Sequence, residues 1–222
     1  MKVLVSNASA ELVEKKSRFI ANMFYVSTAE EAEQVLESIR KKYYDAKHNC
    51  YAYVLGINGE VVKSSDDGEP SGTAGHPMLD IMKGNDIVNC ISVVTRYFGG
   101  ILLGTGGLVR AYSDSLKMAI DNAVFSKILE AFKTEFNIDY DDYGKVENII
   151  QNINQSIDID MDKKIVVVDK TFGEKVSLNL LIDTNLFDKF KVDMMNITKG
   201  KVLLEKNDKR NYYIDKKEIK YI

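Results

Sequence analysis

Residues 87 to 112 read IVNCISVVTRYFGGILLGTGGLVRAY. As far as Tyr97 this is a nearly unbroken run of β-branched, apolar and aromatic residues, the mark of a central strand buried on both faces. Five glycines follow, Gly99, Gly100, Gly104, Gly106 and Gly107, and lead directly into a helical pattern. There Leu108, Val109, Tyr112, Leu116, Ala119, Ile120 and Ala123 recur at helical spacing. A buried strand passing through a glycine-rich turn into a long amphipathic helix predicts a domain of mixed strands and helices.

Working outward, KSRFIANMFYV (16–26) alternates as a strand, with Phe19, Ala21, Met23 and Tyr25 on one side. STAEEAEQVLESIRKKYYDA (27–46) is a helix. Thr28 followed by Glu31 is a capping box, and Ala32, Val35, Leu36, Ile39 and Tyr43 form its apolar stripe. HNCYAYVLGI and GEVVKSS flank Asn58-Gly59 as a hairpin. HPMLDIMKG reads as a short helix with Pro77 in its first turn. Downstream the character changes to few glycines and many Asp, Asn and Lys. AFKTEFNIDY is a strand, DDYGKVENIIQNIN a helix, and KKIVVVDKTF with EKVSLNLLID a hairpin. TNLFDKFKVDMMNITKG is a helix closed by Gly200, and KVLLEK (201–206) a last strand. That order, β-α-β-β-α-β, is ferredoxin-like. The chain is therefore read as α+β with two domains, 1–128 and 131–205, and a basic tail over 206–222.

The totals set outer bounds. At 222 residues, 45% hydrophobic and 28% charged, the chain can bury a real core. It holds no apolar run of the ~20 residues a membrane helix needs and no secretory-type leader, so a cytoplasmic location without membrane contact is expected. Cys50 and Cys90 sit in separate strand-like stretches and read as buried reduced thiols. The spacing of two cysteines and two histidines matches no zinc knuckle. A net charge of −3 provides no global field toward nucleic acid. The end of the chain is locally basic, with Lys201, Lys206, Lys209, Arg210, Lys216, Lys217 and Lys220 against four acids.

Chemistry concentrates in DDGEPSGTAGHPML (66–79), which holds both prolines of the chain and one of its two histidines. Asp66, Asp67 and Glu69 are the right types for a divalent cation or a general acid beside a base, and His76 for an acid-base group or a partner to one of them. They are equally the residues of a turn. Ser71 and Thr73 are nucleophiles only if a base reaches them, and no Gly-x-Ser-x-Gly elbow or triad order is present. No cofactor is expected, a cation at the acidic loop being the one such reading left open. The glycine run is neither a Walker loop nor a dinucleotide fingerprint, and it divides between a packing turn and an anion-binding loop with Arg110 at its helix. Arg96 and Tyr97 could contact phosphate and stack a base. From the bare sequence, an Arg paired to a carboxylate and a Tyr at the core edge is the stronger reading.

KSRFIA, DAKHNCYAY, SDDGEPSGTAGHPML and VVTRYFGGILLGTGGLVRAY, in this order, resemble the YigZ/IMPACT family of translation-associated proteins. The second half is similar to the small C-terminal domain of its bacterial members. The resemblance implies a first domain like the fourth domain of elongation factor G and a ferredoxin-like second domain. It also implies that the DDGEP and glycine loops share one face. On that footing the expected function is a non-enzymatic translation factor binding RNA or the ribosome. Its contact set would be Lys47, His48, Asp66, Asp67, Glu69, Ser71, Thr73, His76, Arg96, Tyr97, the five loop glycines and Arg110. The acids count against a plain phosphate-binding face unless they hold a metal, pair with Arg96 or Arg110, or serve a protein. The alternatives are a metal-assisted hydrolase of peptide or phosphoester centred on Asp66, Asp67, Glu69 and His76, and a protein-interaction module.

Overall fold

The fold is given by a computed structural model that describes residues 1–156, 164–206, 208–216 and 218–222. It is α+β, and the chain divides into two compact units, Met1–Lys127 and Ile128–Ile222.

The first unit begins with β1 (Lys2–Ser6), β2 (Ala8–Glu14), β3 (Ser17–Tyr25) and α1 (Ala29–Lys42). It continues through β4 (His48–Leu55), β5 (Val61–Ser65), α2 (Gly75–Gly84), β6 (Cys90–Tyr97), α3 (Thr105–Asp121) and β7 (Val124–Lys127). Five strands form an antiparallel sheet in the order β2-β3-β6-β4-β5. The run that ends at Tyr97 is its central strand, buried from Cys90 to Arg96. Helix α1 covers one face, packing Ala32, Leu36 and Ile39 on Tyr51, Tyr53, Leu55, Ile91 and Val93. Thr28 caps it by accepting from the Glu31 amide, and the Glu31 carboxylate reaches back to the Ser27 amide. Helices α2 and α3 take the opposite face, which carries Phe19, Cys50, Val94 and Arg96.

Three strands of this unit have no counterpart in the sequence reading. β2 is an edge strand with an exposed outer face, and β1 and β7 form a small two-stranded antiparallel sheet, with Lys2 also bridged to Ile87. Such short segments carry too few apolar residues to show a period.

The second unit runs β8 (Leu129–Ile138), α4 (Tyr140–Ser156), β9 (Ile165–Phe172), β10 (Val176–Asp183), α5 (Phe187–Ile197), β11 (Asp208–Asp215) and β12 (Glu218–Tyr221). Its antiparallel sheet has the order β12-β11-β8-β10-β9. Without β12 this is the ferredoxin-like arrangement. Val146, Ile150 and Ile153 of α4 and Phe187, Phe190 and Met194 of α5 share a core with Leu178, Leu180 and Ile182.

The last strand differs from expectation. Residues 202–206 form no strand; Val202 and Leu204 instead fill the helix-side core as an extended connector. The fourth strand is β11, drawn from the stretch read as a basic tail, and it pairs with β8 from Asp208 to Tyr212. Its cations are matched locally, Lys209 to Glu130 and Arg210 to Asp208.

Both cysteines are buried free thiols, and no helix among the described residues is long and apolar enough to cross a membrane.

Candidate functional site

The acids of the 66–79 loop turn inward. Asp66 accepts from the amides of Gly72, Ala74 and Gly75 at 2.8, 2.9 and 2.9 Å, so it caps α2 from nine residues upstream. The cap residue Ala74 has no side chain able to do this. Partial burial pushes the Asp66 carboxyl up, but the three amides outweigh it and hold it below the ordinary carboxylate range. Asp67, at φ +41°, accepts from the Asn49 amide at 2.6 Å and lies 3.5 Å from Arg40. Its carbonyl oxygen is 2.8 Å from Nδ1 of His48, a contact that requires the proton on Nδ1. Thr73 is buried and donates to the Pro70 carbonyl, closing the turn, whereas Ser71 and His76 are exposed.

Glu69 carries the loop into the core. Both its oxygens lie on Nη1 of Arg96, at 2.7 and 3.0 Å, with side-chain exposures of 4% for Glu69 and 7% for Arg96. The Tyr112 hydroxyl of α3 donates to the same carboxylate at 2.8 Å. The Cys50 thiol lies 3.3 Å from that hydroxyl and 3.0 Å from the Asp66 carbonyl. Burial, then the neighbouring Cys50 and Glu69, push the Tyr112 hydroxyl strongly up, and burial pushes the Cys50 thiol to about 12. The Arg96 guanidinium also lies over the rings of Phe19 and Phe98, at 5.4 and 5.6 Å. Among the open alternatives, the pairing of an acid with Arg96 is present in the structure.

On the other face of β6, the Tyr97 hydroxyl donates to Asp45 at 2.7 Å, and that bond leads in raising it to about 12. The Arg18 guanidinium lies 5.5 Å over its ring. Lys47 is exposed immediately before β4, whose first residue, His48, is registered opposite Arg96.

The glycine loop crosses the same end of the sheet. A Cβ at Gly99 would stand 2.0 Å from the Lys16 backbone, so only glycine lets the chain pass over the β2–β3 turn. The Gly99 amide donates to the Ser17 hydroxyl at 3.1 Å. Helix α3 starts after Gly104 with no side-chain cap, so its first amides, at Thr105, Gly106 and Gly107, face outward without one. Gly100 and Gly106 have open space around them. Arg110 is exposed, in the second turn of α3. It lines a shallow cavity of about 250 Å³ with Lys15, Leu103, Gly107, Glu14 and Asp114.

Two groupings result. Glu69 and Arg96 in the interior, the partly buried Asp66 and the Thr73 hydroxyl hold the loop through hydrogen bonds within the protein. Lys47, Ser71, His76, Gly100, Gly104, Gly106 and Arg110 remain at the surface. Among the described residues no three His, Cys, Asp or Glu side chains gather as metal ligands, and the oxygens of Asp66 and Glu69 already accept protein donors. No base is seen within reach of Ser71 or Thr73 among the contacts of the described residues. Sequence reasoning missed Lys15, Lys16, Phe98, Ile101 and Leu102. The signal was present in FGGILLG, where large apolar residues stand between glycines in a segment that neither a helix nor a strand can bury.

Residues 15–120 match the Impact N-terminal domain, and 136–201 a domain of unknown function (DUF1949). The Bacillus subtilis IMPACT family member YvyE is 37% identical over 86% of this chain and 83% of its own length. The Escherichia coli IMPACT family member YigZ is 45% identical over 53% of this chain and 59% of its own. The crystal structure of a hypothetical protein aligns with 93% of this chain and 97% of that one, at TM-score 0.57 and 28% identity.

Proposed function

This chain belongs to the IMPACT family, and on that premise we propose that it is a non-enzymatic, translation-associated factor that binds structured RNA or the ribosome through its first unit. One observation supports this reading above the others: two acids that would repel phosphate, Asp66 and Glu69, turn their carboxylates into the protein. The Glu69 charge is compensated by Arg96, Asp66 stays ionised but points at the amides that open α2, and Asp67 lies 3.5 Å from Arg40, so the loop turns less negative charge outward than its composition suggests. Lys15, Lys16, Lys47 and Arg110 make no ion pair among the described residues and stand at the same end of the sheet. Glu14 and Asp114, which share the cavity with Lys15 and Arg110, keep the local field modest, so salt-sensitive binding of moderate strength is expected.

The contact set is accordingly Lys15, Lys16, Lys47, Arg110 and the open glycines of the loop. Arg96 supports that surface from below. Filter binding and co-sedimentation with ribosomal particles across a salt series test the reading. Charge reversal at Lys15, Lys16 and Arg110 should weaken binding and flatten the salt slope by about 0.7–0.9 for each phosphate no longer neutralised. Retention no greater than that of an acidic control protein at low salt would sink the idea.

A further inference from the structure

We infer that Phe98–Leu102 is a base-reading element, which stacks on and separates unpaired nucleotides, so that the RNA this surface takes is single-stranded or looped. The inference rests on the function proposed above and narrows its ligand. Phe98, Ile101 and Leu102 are 55%, 44% and 82% exposed, three large apolar side chains within five residues. Exposed apolar residues scattered singly are ordinary, but a cluster on one loop marks a binding surface.

The loop is built to hold its aromatic ring in place. Gly99 is wedged against the Lys16 backbone and its amide is tied to Ser17, which anchors the chain immediately after Phe98. Beneath the ring lies the Arg96 guanidinium, itself held by Glu69. A ring backed by a fixed cation and more than half exposed offers its other face for stacking. It does so at little entropic cost, because its position is already set.

Charge selects the occupant. The apolar tip is bordered by Lys15, Lys16 and Arg110, with Glu14 and Asp114 in the same cavity, so a ligand that pairs flat apolar faces with anions is favoured with moderate strength. Nucleic acid with splayed bases has that composition. A continuous A-form duplex does not, since its bases are stacked away and side chains cannot enter its narrow major groove.

The test measures the full chain against an RNA hairpin with a single-stranded loop and against the same stem as a blunt duplex, with 2-aminopurine in the loop reporting unstacking. The wild type should prefer the hairpin and change the 2-aminopurine emission. Phe98→Ala should cost about tenfold on the hairpin and nothing on the duplex. Leu102→Ala, at an exposed position, should reduce the preference without touching stability, and Phe98→Tyr should retain it. Equal, salt-dependent binding of hairpin and duplex would overturn this inference and leave the proposed function standing. Binding to neither would overturn the inference, and a lack of retention on ribosomal particles at low salt as well would remove both. Hairpin binding unchanged by Phe98→Ala, with the substitution instead abolishing retention on phosphatidylglycerol vesicles or capture of a protein after nuclease treatment, would assign the loop to another partner.

Discussion

Glu69 and Arg96 meet in the interior of the first unit, with both carboxylate oxygens on the single nitrogen Nη1 and the Arg96 Nε left without a partner. The pair joins the 66–79 loop to the central strand, and Tyr112 joins it to α3. Removing one member leaves a buried charge uncompensated. Glu69→Ala and Arg96→Ala should each lose about 3–5 kcal/mol in urea denaturation. Replacing both, Glu69→Leu with Arg96→Met, should recover much of that, since the desolvation cost of two ions disappears with them. If either single variant unfolds at the wild-type midpoint, the pair is not what holds the loop.

Asp66 predicts a specific acid-side behaviour. Its folded-state pKa lies below the unfolded value, so its stabilisation is present above the ordinary Asp pKa of 3.8 and is lost as pH falls through the depressed value. Asp66→Ala should cost about 1–2 kcal/mol near neutral pH through loss of the cap on α2. It should also flatten the fall of stability below pH 3.8. Parallel stability–pH curves for variant and wild type in that range would contradict this role for Asp66.

Gly99 and Gly100 separate two kinds of glycine requirement. Gly99→Ala forces a Cβ into the Lys16 backbone and should cost about 3 kcal/mol or more, with loosening of the β2–β3 turn in amide exchange. Gly100, at φ +85° with open space around it, should lose only about 1–2 kcal/mol as Ala, from backbone strain alone. The reverse ranking would show that Gly99 is not held against the Lys16 backbone.

The Cys50 thiol, pushed to about 12 by burial, and the fully buried Cys90 thiol, also about 12, should resist alkylation. Iodoacetamide at pH 8 should leave the native protein unlabelled and label both positions in denaturant. Rapid native labelling at Cys50 would mean that the Asp66–Tyr112 enclosure opens.

Much of the architecture was legible along the chain. The central strand follows from the unbroken apolar run ending at Tyr97 and helix α3 from the helical spacing of Leu108 to Ala123, and the Thr28–Glu31 box forms where its spacing places it, with Glu31 returning to Ser27. The ferredoxin-like order of the second unit was legible too, although its last strand was misplaced. KVLLEK has strand composition, but its Val202 and Leu204 are taken up by the core between helices and sheet, and β8 pairs instead with the polar segment from Asp208. Composition alone does not rank two adjacent candidates for one open sheet edge.

The acidic loop shows the limit most clearly. By itself the sequence determined local structure, because caps, turns and amphipathic faces depend on residues within a few positions of one another. Only the tertiary structure decided which charges are free. Glu69 is paired with an arginine 27 residues away and accepts a hydrogen bond from a tyrosine 43 residues away, whereas Arg110, the other arginine offered as a partner, stays at the surface. Coulomb pairing and desolvation act through distance in space and burial, and both are created when α3 packs onto the central strand.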